Sequence, residues 1–298
     1  MASGQERILR RRIRSINSTK KITRAMELIA ASRIVRAQAR VHAAAPYADQ
    51  ITQVVRDLAA AGGTSSSSPY LVPRPEIRRV AHIVIAADRG LCGGYNSSVI
   101  RAAEGSMREH KALGREYSLH VVGRKVESYF RYRDYRIDAA HTGFSDQPSY
   151  EDARAIATTV EAMFEAGEVD LVELVYTRFV SAGSQEVVVR PLIPLDPETF
   201  EQAAPADGVA PDYEFEPSPS SILDQLLPRY AEARVYAALL NAAASEHAAR
   251  QRAMKSATDN AEDLITSLTR VMNRARQDAI TTEIMEVVGG AEALRSGA

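Results

Sequence analysis

A single cysteine, Cys92, is all the thiol this chain of 298 residues contains, so no internal disulfide framework braces the fold and the residue reads as a small buried hydrophobe. No apolar run approaches the roughly 20 residues a helix needs to cross a bilayer, so any membrane association must go through a partner. The six histidines fall in no metal-binding spacing, neither His-Glu-x-x-His nor paired with Cys92. No catalytic triad or carboxylate pair stands out, and the expectation is therefore no metal, no cofactor and no catalytic residue. Net charge is also scarce: 37 Lys and Arg stand against 38 Asp and Glu, which removes any whole-chain electrostatic argument for nucleic acid or an acidic membrane.

The distribution of charge says more than its sum. Residues 1–40 carry eleven basic side chains against only Glu6 and Glu27, so this arm is strongly positive and the remainder compensates. The Arg-rich start imitates a transit peptide, but its helical pattern continues without a break into later residues.

Three zones separate on periodicity. In the first, Ala30, Ile34, Ala37, Val41, Ala44, Ala48, Ile51, Val55 and Leu58 alternate steps of four and three, the seam of a coiled coil. Leu9, Ile13 and Ile16 share its phase. Between them Lys20, Thr23 and Glu27 occupy the seam while Ile22, Met26 and Ile29 form a neighbouring stripe, so the apolar face shifts and the helix is touched from several sides. Pro46 interrupts the pattern at a cost of about 3 kcal/mol against alanine, and a kink is expected because the register survives it. The boundaries read as a helix over 1–60, a flexible Gly/Ser linker over 61–76, an α/β domain over 77–200, a variable acidic, Pro-rich loop over 201–220 and a second long helix over 221–298.

Within the α/β zone, RRVAHIVIAA and YSLHVVG read as strands, each followed by a turn and a helix. The first of these helices is capped by Asn96 or Ser97. The helix EDARAIATTVEAMFEAG precedes two strands joined by the SAGS turn. Parallel strands need helical crossovers, so the expected fold is a small Rossmann-like, doubly wound α/β domain carrying a long antiparallel coiled coil of the two terminal helices. The final helix, with Ser221 and Asp224 as a capping pair, runs until Gly289 and Gly290 stop it. Its seam is read as Met254, Ala257, Ala261, Leu264, Leu268, Val271 and Ala275.

The blocks IRSINSTKKITRAMELIAASRI, ADRGLCGGYNSSV, EPSPSSILDQLLPRY and MKSATDNAEDLITSLTRVMNRARQDAITTEIMEVVGGA, in that order, resemble the gamma subunit family of bacterial-type rotary ATP synthases. The resemblance implies a non-catalytic central shaft at the cytoplasmic face of the plasma membrane. Its implied partners are three alpha and three beta subunits, an epsilon subunit and a membrane c-subunit ring. It implies that Arg276, Gln277, Thr281 and Glu283 form a catch on a catalytic beta subunit, and that Met26 and Arg250 meet the beta lever arms. Tyr213, Phe215 and Glu216 are implied as contacts of the foot with the ring and epsilon.

Two other readings stand beside it. The DRGLCGG turn follows a strand and opens a helix, the position of a phosphate in a nucleotide-binding enzyme, although glycines 90, 93 and 94 do not spell the dinucleotide fingerprint and no P-loop Lys is present. A coiled-coil arm gripping RNA through Arg10, Arg11, Arg12 and Arg14 is the other, and it would bind with a steep salt dependence.

Overall fold

The computed structural model describes residues 2–60, 69–71, 74–195, 216 and 218–296, so most of the 61–76 linker and nearly all of the 201–220 loop lie outside the described residues. In chain order the elements are α1 (Ala2–Ala60), β1 (Arg79–Ile85), α2 (Tyr95–Ala112), β2 (Glu116–Val122), α3 (Arg124–Tyr132), β3 (Ala139–His141), α4 (Tyr150–Glu165), β4 (Leu171–Phe179), β5 (Gln185–Ile193) and α5 (Pro219–Ser296). They form two compact units, one of Met1–Ile29 with Gln251–Ala298, the other of Ala30–Arg250. Among the described residues no helix is long and apolar enough to cross a membrane.

The larger unit is built on a five-stranded sheet of order β3-β2-β1-β4-β5. The first four strands are parallel, and β5 returns antiparallel to β4 through the SAGS turn. Each parallel step is bridged by α2, α3 or α4, as parallel pairing demands. Six consecutive residues of β1 are buried because helices cover both faces, which turns the usual alternation into a continuous apolar run. On one face Ile83, Ile85 and Leu174 pack with Ile156, Val160 and Phe164 of α4, with Val55 and Leu58 of α1, and with Leu223 and Leu227 of α5. On the other, Val84, Leu119, Val121 and Val175 pack with Val99, Ala103 and Met107 of α2 and with Val126 and Phe130 of α3. Gly123 joins β2 to α3 with φ +104°, and a Cβ there would lie 2.3 Å from the Ala86 carbonyl oxygen. Only glycine lets the ends of β1 and β2 approach this closely.

Several local expectations change. The strand β3 was not anticipated, since three residues carry too little periodicity to read. The helix α2 begins at Tyr95 with Gly94 as its cap, because the Asn96 side chain is committed elsewhere, accepting from the Ala87 N–H at 2.9 Å. Ser218, not Ser221, caps α5: its hydroxyl accepts from the Ser221 N–H at 3.3 Å, and Pro219 follows in the first turn, where its missing N–H costs nothing. Pro46 does not end α1, in keeping with the expectation that the helix continues through it. Gly289 and Gly290 do not end α5, which runs on to Ser296, for two glycines cost only about 2 kcal/mol and the Ala, Glu and Leu that follow favour helix.

Where α4 meets α5, Glu161 is buried, and its Oε1 has no hydrogen-bond partner. Burial first, then the neighbouring Glu232 and Glu165, push its carboxyl up to about 7. The unfolded chain ionises this group at the ordinary value of 4.5, before the folded chain does, so stability falls as pH rises from about 4.5 to about 7. Glu161→Gln is therefore expected to melt with the wild type near pH 4.5 and above it at pH 8. Thermal unfolding of the full chain at the two pH values measures this, and an offset independent of pH contradicts it.

Candidate partner-contact site

The smaller unit is a pair of antiparallel helix segments. Lys20 Nζ lies 3.0 Å from Glu262 Oε1 and Thr23 Oγ1 lies 2.8 Å from Thr258 Oγ1, so ascending numbers on α1 meet descending numbers on α5. One of the two hydroxyls donates across the pair; the other donates to its own helix, Thr23 to the Lys20 carbonyl or Thr258 to the Met254 carbonyl. On α1 a half-buried stripe of Leu9, Ile13, Ile16, Lys20 and Thr23 leads to buried Glu27, the seam read from the sequence with its polar interruption in place. On α5 the covered stripe is Met254, Thr258, Ala261, Ile265, Leu268, Met272, Ala275 and Ala279. Leu264 and Val271 were expected on this seam but lie 44% and 47% exposed beside it. Met254, Ala261, Leu268 and Ala275 lie on it as expected; Thr258, Ile265 and Met272 hold the places that apolar counting gave to Ala257, Leu264 and Val271.

Beyond Ala279 the covering ends. Ile280, Ile284, Met285, Val287 and Val288 stand exposed on α5, an apolar surface with no cover among the described residues of this chain. The four expected catch residues straddle the end of this covering, Arg276 and Gln277 before Ala279 and Thr281 and Glu283 after it, and all are exposed. Gln277 and Thr281 are one turn apart and stack on one face; Arg276 and Glu283, two turns apart, stack on another roughly 100° round the helix. Among the described residues none of the four side chains is held by a hydrogen bond or ion pair. Glu216 is exposed at a bend, whereas Tyr213 and Phe215 lie outside the described residues. Met26 is half-buried in the smaller unit, and Arg250 belongs to the larger.

Arg250 is turned inward and closes a polar ring that the sequence did not disclose. Its Nη2 donates to Glu246 Oε1 at 2.7 Å and it approaches the carbonyls of Arg89 and Gly90 at 3.4 Å. Glu246, 2% exposed, also accepts from Ser145 Oγ at 3.1 Å. Ser145 Oγ in turn accepts from the Asp88 N–H at 2.9 Å. Burial pushes the Glu246 carboxyl up against the pull of Arg250 and Ser145. Asp88 shows the opposite balance: burial alone raises it, but the N–H groups of Ser145, Gly143 and Arg124 outweigh burial and hold it below the usual carboxylate range. These N–H groups come from the segments that follow β2 and β3, and the first residue of the DRGLCGG turn occupies them. The DRGLCGG turn is thus a structural clasp, with Leu91 at φ 62° and Gly93 at φ 58°.

Spacing alone also hid a cluster of His82, His110 and Glu173, whose candidate ligand atoms lie within 4.8 Å of one another. No sequence interval suggests a metal because the three sit on β1, α2 and β4. The readable signal is the parallel pairing of β1 with β4, which sets His82 opposite Glu173.

A family model described as ATP synthase matches residues 5–294. The ATP synthase gamma chain of Parafrankia sp. (strain EAN1pec) is 53% identical over 300 residues, covering 99% of this chain and 100% of the relative. That of Frankia casuarinae is 55% identical over 300 residues, covering 99% of each. Among solved structures the chain is similar to one in the Tetrahymena thermophila mitochondrial ATP synthase central stalk and c-ring, with TM-score 0.61 and 25% identity over 79% of this chain and 99% of that one. It shares the fold of a chain in the Euglena gracilis mitochondrial ATP synthase, with TM-score 0.69 and 16% identity over 99% of this chain and 96% of that one. The nucleotide-enzyme and RNA-arm readings gain no support from these likenesses.

Removing one partner of a buried ion pair leaves an uncompensated charge, at about 3–5 kcal/mol. Glu246→Ala is accordingly expected to lower the melting temperature of the full chain by on the order of 10 °C, and Glu246→Gln, which still accepts from Ser145, by less. Melting within about 2 °C of wild type for Glu246→Ala, well under 1 kcal/mol, contradicts the ring's role.

Proposed function

This chain belongs to the ATP synthase gamma-chain family, and we propose that it is the central rotor shaft, coupling proton-driven rotation of a membrane ring to conformational change at catalytic beta subunits. The shaft itself catalyses nothing. A ligand shifts an equilibrium only by its differential affinity for two states, so a shaft drives three beta sites through different conformations only if it presents a different surface to each. The exposed apolar surface of α5 after Ala279, interleaved with polar side chains on two faces, is the observation that carries this reading. Each 1.4 kcal/mol of angular preference changes a site's affinity about tenfold, so a few charge-assisted bonds made and broken per step are sufficient in scale.

In this reading Arg276 and Gln277, supported by Thr281 and Glu283, catch a loop of one beta subunit. Met26, whose unbranched side chain slides rather than latches, meets a beta lever arm. Arg250 is assigned to the lever arms by the same family likeness, and within the larger unit it also orders the Arg89–Gly90 turn. The foot, through Tyr213, Phe215 and Glu216, meets epsilon and the c-ring, and the assembly holds the chain at the cytoplasmic face of the membrane as a peripheral component. The alpha and beta subunits, three of each, form the enclosing head.

In the reconstituted complex, Arg276→Ala and Gln277→Ala are expected to lower coupled ATP turnover roughly two- to tenfold, without changing the melting of the isolated chain. Met26→Lys is expected to reduce proton pumping more than hydrolysis. Turnover and coupling unchanged in both catch variants, together with pumping that keeps pace in Met26→Lys, rule out these assignments.

A further inference from the structure

On the side of the sheet covered by α2, one polar cluster interrupts an otherwise apolar layer. We propose that His82, His110 and Glu173 bind a divalent transition-metal ion, with zinc the best match, and that the ion staples the last turn of α2 to β1 and β4.

Placement comes from regular structure. His82 and Glu173 are register partners across the parallel β1/β4 pair, so their side chains leave the same face of the sheet. On α2, Val99, Ala103 and Met107 pack on that face, and Ser106 and His110 continue the same stripe into the last turn. The candidate ligand atoms, all within 4.8 Å of one another, are close enough to share one small ion. His82 Nδ1 lies 3.3 Å from Glu173 Oε2, and His110 Nε2 lies 3.1 Å from Glu173 Oε1. Zinc bonds of roughly 2.0–2.1 Å place tetrahedral donors about 3.3 Å apart.

His82 supplies the independent observation. It is fully buried, yet neither ring nitrogen has a hydrogen-bond partner, despite the nearby carboxylate. An apolar residue would pack in that layer without leaving two orphaned nitrogens, and a metal bond from Nδ1 satisfies one of them. Glu173 is already oriented, for Ser106 Oγ donates to its Oε2 at 2.6 Å, the kind of outer contact that fixes a ligating carboxylate. His110 and Glu173 keep 13% exposure, which gives an ion a way in and leaves room for water as a fourth ligand. Two imidazoles and one carboxylate select zinc, cobalt or nickel over magnesium or calcium.

Arg115 is the counterweight. Its Nη1 lies 3.0 Å from His110 Nδ1, so in the free chain Nδ1 accepts from Arg115 and the ring proton sits on Nε2, facing Glu173. When Nε2 takes the metal the ring stays neutral, its proton moves to Nδ1, and Arg115 must swing away. The guanidinium therefore opposes loading, and its removal should tighten binding.

The test titrates the untagged, chelator-stripped full chain with Zn2+ and Co2+ by calorimetry and visible absorption, with Mg2+ as the comparison. Expected are one ion per chain with Kd below about 10 µM, the intense visible bands of four-coordinate cobalt, and a melting temperature raised by about 5 °C or more at a hundredfold excess over Kd. Mg2+ should do none of this. His110→Ala and Glu173→Gln should each weaken binding at least about tenfold, His42→Ala should leave it unchanged, and Arg115→Gln should strengthen it. No binding by the wild type at about 100 µM Zn2+, or equal affinity in His110→Ala and Glu173→Gln, overturns the site. Because His110 lies at a helix end with partial exposure, its variant remains informative even where a substitution at His82 fails to fold.

Discussion

A hydrogen bond between two threonine hydroxyls, Thr23 and Thr258, sets the register in which the first and last helices of this chain run side by side in the smaller unit. A leucine seam tolerates a slip of one heptad with modest loss. A polar pair inside the seam resists it, because any other register breaks the bond between the two hydroxyls and sets each against apolar neighbours. Lys20 and Glu262, one turn away, add a charged version of the same constraint, although their exposure makes them worth little as stability. With the register fixed, the faces of α5 that remain uncovered are fixed as well. The exposed run of Ile280, Ile284, Met285, Val287 and Val288 follows from where the pairing stops.

The larger unit solves a different problem with the same means. Its sheet is covered on both faces by apolar side chains, yet the loops at the end of β1 must be attached to α5. The chain does this with a ring of groups that satisfy one another: Asp88 to Ser145, Ser145 to Glu246, Glu246 to Arg250, and Arg250 to the carbonyls of the turn. Each member is costly to bury alone and tolerable in company. This explains how a segment that resembles a phosphate loop on paper serves as a clasp. The donors that follow β2 and β3 answer a carboxylate belonging to the turn itself.

Much of this was legible in the sequence, and the failures have physical causes. The seam of α1 from Leu9 to Leu58, the doubly wound order of strands and helices and the β4–β5 hairpin all follow from apolar periodicity and turn residues. On α5 Met254, Ala261, Leu268 and Ala275 were read on the seam correctly, but the positions between them were each taken one residue early, because Thr258 breaks the apolar count and a satisfied threonine behaves as a core residue there. Helix ends were misplaced where side chains had better offers, as Asn96 did at Ala87 and Ser218 did at the start of α5. Strand pairing brings His82 to Glu173, and loop closure brings Ser145 to Glu246. Neither juxtaposition has a sequence signature, so the polar ring and the histidine cluster became visible only in three dimensions. The contact residues proposed on α5 rest on family likeness alone, since exposed polar side chains on a helix carry no pattern of their own.

The register of the helix pair is the claim on which the shaft reading rests, and cysteine cross-linking addresses it most directly. In the full chain carrying Thr23→Cys and Thr258→Cys, with the native Cys92 buried, mild oxidation should close a disulfide within one chain, giving a monomer of altered mobility on a non-reducing gel. Exclusive formation of cross-linked dimers, or no cross-link at all, would mean that these helices do not pair within one chain in this register.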